Sequence, residues 1–327
     1  MADGRTRWCR PLPSSVRLQP SSHISFPDVS APQHPLPSHR PASHATELSL
    51  VLMATIWGVN FSVVKYGTQV MEPLAYNALR MTLGCVVLLV LAMWRPGKRP
   101  SPADLRRLLL LGVLGHCIYQ VLFISGIART RAGTASLVIA ASPAMVALVA
   151  RMFGHDKLPL RAVAGIGLSI AGVFLVLGGT MSDEGAGHVT GDLMILAAVA
   201  CWAFYTNWLV ELTQRVDAVQ VAAWTLVGGV VPLGLIAAPA LLRVDWTAVT
   251  PLTWLSVFYS GVMAMVVAYL LWYRGVHRIG PTRTSMYGNL QPIVAVAVAW
   301  VVLGEVPTLF QGAGAATVIG GLYLSRR

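Results

Sequence analysis

The sequence predicts an all-α integral membrane protein with ten transmembrane helices, arranged as two inverted five-helix repeats. Three observations predict this fold: 55% of the 327 residues are hydrophobic and only 11% are charged, ten apolar stretches follow residue 45, and matching residues recur between the two halves. Ordinary soluble domains carry about 25% charged residues, so this chain cannot cover a water-soluble globule. Its net charge of +11 does not indicate a nucleic-acid partner, because the basic residues lie between apolar runs rather than on one polar face.

Residues 1–45 differ in composition from the rest of the chain. They hold eight of the 20 prolines and four of the eight histidines, with many serines and arginines. Such a segment cannot bury enough apolar surface to offset its ordering entropy, so we predict a disordered Pro/Ser/Arg-rich tail. A dispensable tail or an over-extended gene start is favoured over an organelle transit peptide, because the prolines oppose the amphipathic helix of such peptides.

The ten apolar stretches each have the length of a membrane span. A transmembrane helix needs about 20 mostly apolar residues. In the first half the predicted spans are Leu48–Tyr66, Pro73–Trp94, Leu105–Ile127, Gly133–Phe153 and Arg161–Leu177. In the second half they are Asp192–Leu212, Ala218–Leu242, Pro251–Tyr273, Thr282–Leu303 and Thr308–Leu324.

The two halves carry matching residues in the same order. The pairs are Gly126 and Gly275, Pro143 and Pro292, and Ser136 and Ser285, each separated by 149 positions, and Trp57 and Trp202, separated by 145. We therefore predict repeats at residues 46–178 and 191–325. Five spans per repeat is an odd number, so the second repeat enters the membrane inverted, an arrangement typical of secondary transporters.

Loop charge gives the orientation. If both termini are cytoplasmic, the inner loops and the chain end hold fourteen Lys and Arg residues, against four on the outer side. This distribution follows the positive-inside rule. The inner residues are Arg95, Lys98, Arg99, Arg106, Arg107, Arg151, Lys157, Arg161, Arg215, Arg274, Arg278, Arg283, Arg326 and Arg327; the outer ones are Lys65, Arg129, Arg131 and Arg243. We predict a multi-pass plasma-membrane protein.

Three short motifs carry a family resemblance. The run Trp57-Gly58-Val59-Asn60-Phe61, Pro73 followed by Arg80, and Gly304-Glu305 resemble the EamA-type domains of the drug/metabolite transporter superfamily over residues 46–327. The resemblance implies a carrier of small metabolites, often an exporter of amino acids and related compounds. One departure is visible: the first half has His155-Asp156-Lys157 where Glu305 stands in the second, so we assign this loop no coupling role.

Two prolines are candidate hinges. Pro143 and Pro292 each lie about ten residues into a predicted span, near the bilayer midplane at 1.5 Å per residue. A mid-span proline removes a backbone hydrogen bond and leaves carbonyl groups to face a cavity, and matched broken helices in two repeats indicate a binding site. The alternative is a pair of packing kinks.

Polar and aromatic residues cluster at the same depth and form the predicted substrate site. Such groups are costly in hydrocarbon unless they are paired or hydrated. Ser285 and Asn289 are four residues apart, as are His116 and Gln120, so each pair is expected on one helical face. The predicted binding residues are Trp57, Asn60, Arg80, His116, Tyr119, Gln120, Trp202, Tyr205, Tyr287, Asn289 and Gln291. The alternative for each one alone is an interhelical hydrogen bond.

Two deep ionisable residues have open roles. Arg80 is either a structural group satisfied by amides and carbonyls near Asn77, or a positive group that faces an anionic substrate. His116 is the one mid-span group that titrates near neutral pH, so it would carry proton coupling, the alternative being uncoupled, gradient-driven facilitation. No Asp or Glu lies mid-span, which disfavours a proton-coupled cation antiporter.

The absent motifs narrow the function. There is no phosphate-binding GxxxxGK[ST] loop, no HExxH and no CxxC pattern. We therefore predict that the protein is not an enzyme and that it binds neither a cofactor nor a metal ion. We predict a secondary transporter that moves a small organic metabolite across the lipid bilayer by alternating access, most simply as an exporter. A channel and a membrane-embedded enzyme are the alternatives. Small-xxx-small spacing in the fifth and tenth spans indicates close packing within the monomer, or alternatively a homodimer.

Overall fold

The fold consists of helices and turns, with no β-strand in the residues that the computed structural model describes, 44–94, 97–153, 160–183, 186–280, 284–285 and 287–326. In chain order the helices are α1 (His44–Val70), α2 (Pro73–Trp94), α3 (Pro102–Arg129), α4 (Ala132–Met152), α5 (Leu160–Asp183), α6 (Ala186–Arg215), α7 (Ala218–Leu241), α8 (Pro251–Ile279), α9 (Leu290–Leu303) and α10 (Leu309–Arg326).

Within these described ranges, seven helices are long and apolar enough to cross a membrane: α1 to α4 and α6 to α8. This confirms a multi-pass membrane protein. Shorter apolar stretches occupy residues 163–176 of α5 and the whole of α9. Residues 1–43 of the predicted tail, the loop residues Arg95 and Arg283, the His155–Lys157 departure and the chain end Arg327 lie outside the described residues.

Several helix boundaries follow from local capping chemistry. Pro73 opens α2 while the Glu72 carboxylate accepts a hydrogen bond from the Ala75 N–H, and Pro251 opens α8 behind the Thr250 cap. Proline suits the first turn because its missing N–H would have no helical partner there. α8 and α9 end at Gly280 (φ 82°) and Gly304 (φ 69°), a left-handed backbone that glycine adopts without strain.

Two helices contain a stretch of π-helix at matching places. In α3 it covers Val113–Ile118, and in α8 it covers Tyr259–Val267. A π-helix bonds each N–H five residues back instead of four, so it shifts the side chains that follow onto another face. α3 and α8 are the third helix of each predicted repeat, and both supply residues to the cavity described below.

Two further helices are broken next to the predicted hinges. α4 is interrupted at Ala140 and Ala141, and Pro143 stands in the first turn of the helix that resumes. Ahead of α9, a turn at Gly288 and Asn289 is closed by a 3.0 Å bond from the Gly288 N–H to the Ser285 carbonyl. α9 resumes after this turn at Leu290, with Pro292 as its third residue. Residues 284, 285 and 287 before the turn are also helical, and the predicted start at Thr282 lies outside the described residues.

Most of the large interfaces join a helix of the first half to one of the second. α1 packs against α8 and α9, α2 against α7 and α8, α3 against α6 and α7, α4 against α6 and α9, and α5 against α10. Each helix of the first half, α1 to α5, has a counterpart five places later in the second half, α6 to α10. When every helix is replaced by its counterpart, the same set of interfaces is obtained. For example, α1 with α9 becomes α6 with α4, and α3 with α7 becomes α8 with α2.

Small residues allow the closest of these approaches. In the α5–α10 interface, a Cβ on Gly172 would lie 2.9 Å from the Gly314 carbonyl oxygen, and a Cβ on Gly321 would lie 2.5 Å from that of Gly165. Real Cβ atoms do not come this near to backbone. A Cβ on Gly167 or Gly312, in contrast, would meet none of the described residues within 4 Å. Only some of the small residues of α5 and α10 therefore lie in the contact inside the monomer.

One end of the bundle is joined by charged and polar groups. The Glu305 carboxylate accepts 3.1 Å hydrogen bonds from the N–H groups of Ala132 and Gly133, at the start of α4. The Lys65 ammonium donates to the carbonyls of Ile127, Ala128 and Thr130 at the end of α3, at 3.1, 3.2 and 2.6 Å. An anion at a helix N-terminus and a cation at a C-terminus both stabilise the helix dipole.

Candidate functional site

A cavity lies between the two halves, about midway along the helices. Its volume is about 80 Å³, room for a few water molecules rather than for a metabolite, since ligand pockets usually measure roughly 300 Å³ or more. The wall is formed by Trp57, Asn60, Phe61, Arg80, Tyr119, Gln120, Phe123, Ile139, Ala140, Ser142, Pro143, Val199, Trp202, Met265, Tyr269, Trp272, Ser285, Gly288, Asn289 and Gln291.

Eight of the eleven predicted binding residues stand in this wall: Trp57, Asn60, Arg80, Tyr119, Gln120, Trp202, Asn289 and Gln291. They come from five helices and the turn before α9, so the fold brings together positions that are far apart in sequence. Of the predicted hinges, Pro143 lines the cavity and Pro292 lies just behind it, one residue after Gln291. The roles of these residues in transport remain predictions.

Both helix breaks contribute to the cavity wall. Ile139, Ala140 and Ser142 line it from the break in α4, and Gly288 and Asn289 line it from the turn before α9. Backbone that is not helical is tolerated at membrane depth where it is buried in protein or faces a cavity. The two breaks are therefore suited to supply the cavity with polar backbone groups.

Aromatic rings form one side of the cavity around Trp57. Its ring centroid lies 6.3 Å from that of Trp202, 5.4 Å from that of Tyr269 and 5.7 Å from that of Trp272. The Trp57 indole is held in place by a 3.0 Å hydrogen bond from Nε1 to the Ala264 carbonyl, which belongs to the π-helical part of α8. The cluster offers flat apolar surface with few rotatable bonds, as aromatic binding sites do.

Arg80 supplies the charge in this wall. The guanidinium group is fully buried. Nε donates to Asn77 Oδ1 (2.9 Å), Nη1 to Ser260 Oγ (3.0 Å) and Nη2 to Gln120 Oε1 (2.5 Å). Its Cζ also lies 5.9 Å from the centre of the Phe123 ring, within reach of a cation–π attraction. All these partners are neutral.

Three predicted residues lie outside the cavity wall: His116, Tyr205 and Tyr287. The imidazole of His116 contacts Tyr205, with Nε2 3.3 Å from Oη, and the Tyr205 hydroxyl in turn hydrogen-bonds that of Tyr273. This group forms a second layer behind the aromatic wall. His116 Nδ1 has no hydrogen-bond partner among the described residues.

The π-helical stretch explains the position of His116. His116 falls within it and Gln120 follows it, so four residues no longer correspond to one turn and the two side chains separate. Gln120 faces the cavity, whereas His116 is pressed against α7, where a Cβ on Gly229 would overlap the Cβ of His116. For the same reason of local geometry, Ser285 and Asn289 flank a tight turn instead of sharing a regular helical face.

Four aromatic residues of the cavity wall were not among the predicted binding residues: Phe61, Phe123, Tyr269 and Trp272. Tyr269 and Trp272 lie one turn apart in α8, and together with Tyr273 they form an aromatic stripe at positions i, i+3 and i+4. This spacing places all three on one helical face. The stripe was the available signal, but it lies at the very end of the predicted span Pro251–Tyr273, directly before Arg274.

Comparison with known proteins shows similarity to one family of membrane transporters. Residues 44–178 and 189–327 each match the model of the EamA-like transporter family. A "Probable terminal-alkyne amino-acid exporter" of Streptantibioticus cattleyicolor is 31% identical, over 85% of this chain and 92% of its own length. A "Probable amino-acid metabolite efflux pump" of Salmonella typhimurium is 26% identical, over 84% and 92%.

Other relatives agree in fold and class. An "Uncharacterized transporter YdfC" of Bacillus subtilis is 26% identical over 84% of this chain and 89% of its own length. A solved crystal structure superimposes with a TM-score of 0.62 at 20% identity, covering 86% of this chain and 96% of that one. At this level of identity, the superposition shows that the two chains share a fold and nothing more.

Proposed function

The chain belongs to the EamA-like transporter family and is a membrane transporter, not an enzyme, and from this premise we propose that it is a secondary transporter of a small amphiphilic, amino-acid-like metabolite. Transport proceeds by alternating access, in which the two halves rock about the central cavity. The observation that carries the proposal is the cavity itself, which is lined by matched elements of both halves, Trp57 with Trp202 and the α4 break with the turn before α9.

We further propose that ten helices cross the membrane as two inverted repeats, residues 46–178 and 191–325. The exchange of interfaces between counterpart helices supports this arrangement, because a two-fold axis in the membrane plane produces that pattern. The three self-paired interfaces, α2 with α7, α4 with α9 and α5 with α10, then lie on the axis. The π-helical stretches in α3 and α8 are a second feature that the two halves share.

The small volume of the cavity supports a transport mechanism in which the cavity walls move. About 80 Å³ does not hold an amino acid, so the walls must separate to admit one. Conformers that open toward one side at a time would do so without forming a continuous pore. The broken segments at Ala140–Ala141 and Gly288–Asn289 are the places where such rocking can be absorbed, since turn bonds replace part of the regular helical hydrogen-bond pattern there.

Export across the plasma membrane, with both termini cytoplasmic, is the proposed direction and place. Two relatives are named as an exporter and an efflux pump, and the loop charges of the sequence favour this orientation. The test uses cells that express the full chain and are preloaded with radiolabelled amino acids. Faster loss of label than from cells with the empty vector supports export, and label retained equally in both argues against it.

Orientation is tested separately. Reporters active on one side of the membrane only are fused after Arg327 and, in other clones, inserted in the loop between α7 and α8. We expect a cytoplasmic signal from the first fusion and an external signal from the second. Equal signals at the two positions contradict the odd number of spans between α7 and the chain end.

A further inference from the structure

We propose that the transported compound is an organic carboxylate with an apolar body, and that Arg80 binds the carboxylate and thereby determines specificity. This inference rests on the proposed transport function. It starts from the charge of the cavity: among the described residues that line it, Arg80 is the one charged side chain. A fully buried cation is costly unless it is paired.

Two N–H donors of Arg80 remain for an anion. A guanidinium group has five N–H donors, and Asn77, Ser260 and Gln120 accept three of them. Nη1 and Nη2 therefore each keep one N–H that has no partner in the described part of the chain. A carboxylate accepts two parallel hydrogen bonds from such a pair, and the charge-assisted bonds are about twice as strong as neutral ones.

The neutral partners also hold the guanidinium group in place. Asn77 lies one turn before Arg80 on α2, while Gln120 on α3 and Ser260 on α8 approach from two other helices. None of the three neutralises the charge. The arrangement orients the group and leaves its charge to be balanced by an anion.

The rest of the cavity indicates the other end of the ligand. Trp57, Trp202, Tyr269 and Trp272 offer apolar surface, which suits an aliphatic or aromatic body. No Asp or Glu lines the described cavity wall, so an organic cation finds no counter-charge there. The Oδ1 atoms of Asn60 and Asn289 lack hydrogen-bond partners among the described residues, so an amino group is accommodated by neutral acceptors but is not required.

The competing role for Arg80 is structural, as a link between α2, α3 and α8. The two roles differ in ligand selectivity, which a structural link does not set. The experiment therefore compares three compounds with one apolar body: phenylalanine, 3-phenylpropionate, which lacks the amino group, and phenethylamine, which lacks the carboxylate. Each is tested on the purified full chain for a shift of the melting temperature, because ligands stabilise the state that they bind, and as a counter-substrate in proteoliposomes.

We expect phenylalanine and 3-phenylpropionate to raise the melting temperature and phenethylamine to leave it unchanged. Stabilisation by the amine equal to or greater than that by the carboxylate overturns the proposal, as does a lack of response to both carboxylates. If the carboxylates bind but none of the compounds accelerates exchange, the binding inference stands and the proposed transport function fails. The two proposals are thus separable.

Variants assign the selectivity to Arg80. Arg80→Gln is expected to weaken carboxylate binding by at least about tenfold, the equivalent of one strong hydrogen bond, and Arg80→Lys by less, because it keeps the charge. Arg278→Gln is the matched control: it makes the same substitution at a residue whose guanidinium contacts Thr46, away from the cavity. Unchanged carboxylate binding in folded Arg80→Gln overturns the proposal, and if that variant does not fold, the three compounds on the wild-type protein decide.

Discussion

Trp57 of α1 and Trp202 of α6 meet edge to face in the wall of the central cavity, with ring centroids 6.3 Å apart and ring planes at 90°. These tryptophans occupy corresponding positions in the first helix of each predicted repeat. Their meeting agrees with the proposed inverted repeat, because a two-fold axis between the halves brings equivalent residues together where it passes. It also places the aromatic surface where both halves would contact the same substrate.

We expect Trp57→Ala and Trp202→Ala to raise the KM for transport by about tenfold, since each removes apolar surface worth about 1.5–3 kcal/mol when buried. Trp57→Phe should have a smaller effect, because it keeps a ring and loses the Nε1 hydrogen bond to Ala264. Uptake kinetics in proteoliposomes give the values. Trp300→Phe, at a tryptophan of α9 that is 58% exposed, is the control, and a KM change there as large as at Trp57 would contradict a local role.

Glu305 is expected to stabilise the start of α4. Glu305→Ala removes both acceptors for the Ala132 and Gly133 N–H groups and should lower stability by about 0.5–2 kcal/mol, the range for losing a helix cap. Glu305→Gln keeps an amide oxygen and should lose less. Thermal unfolding of the purified variants measures the difference, with Glu47→Ala, at a carboxylate whose side chain is 47% exposed, as control. Equal melting temperatures for Glu305→Ala and wild type would show that the cap is not needed.

The α3–α7 contact depends on the absence of a side chain at Gly228. A Cβ there would lie 2.7 Å from the Cα of Leu109, so Gly228→Ala must push the helices apart, at a cost of about 1–3 kcal/mol for overpacking. Gly234→Ala, on the same helix, is the matched control because a Cβ there would meet none of the described residues within 4 Å. We expect a lower melting temperature for the first variant alone. Identical melting temperatures would refute the close packing of α3 on α7.

His116 tests proton coupling. If this imidazole carries the proton, His116→Gln abolishes the pH dependence of uptake in vesicles. Substrate affinity should change little, because His116 lies behind the cavity wall against Tyr205 and α7. The readout is uptake against pH for wild type and variant. A pH profile that is the same in both removes His116 from the mechanism and leaves gradient-driven facilitation.

The sequence was informative where one local property decides the structure. Long apolar runs predict membrane helices because a helix satisfies its backbone hydrogen bonds within its own segment, and Pro73 and Pro251 mark helix starts. The mid-span position of polar and aromatic residues located eight of the cavity residues. The family motifs around Trp57, Arg80 and Glu305 were likewise readable, and the matching family model agrees with them.

The remaining features depend on tertiary packing. The π-helical stretch of α3 placed the side chains of His116 and Gln120 on different faces of the helix. No residue type in Val113–Ile118 predicts such a stretch. The turn at Gly288 and Asn289 interrupts the predicted ninth span, although the sequence there predicts a continuous helix. Tyr269 and Trp272 were missed because a stripe of aromatic residues near a helix end is as compatible with packing or an interfacial belt as with a site.

Counterflow in proteoliposomes tests alternating access most directly. The purified protein is reconstituted, the vesicles are loaded with unlabelled 3-phenylpropionate or phenylalanine, and uptake of the same labelled compound is followed over a range of external concentrations. A carrier predicts uptake that saturates and is accelerated by substrate on the opposite side, with both effects reduced in Trp57→Ala. Uptake that rises linearly with concentration and ignores the internal substrate would identify a channel and contradict this account.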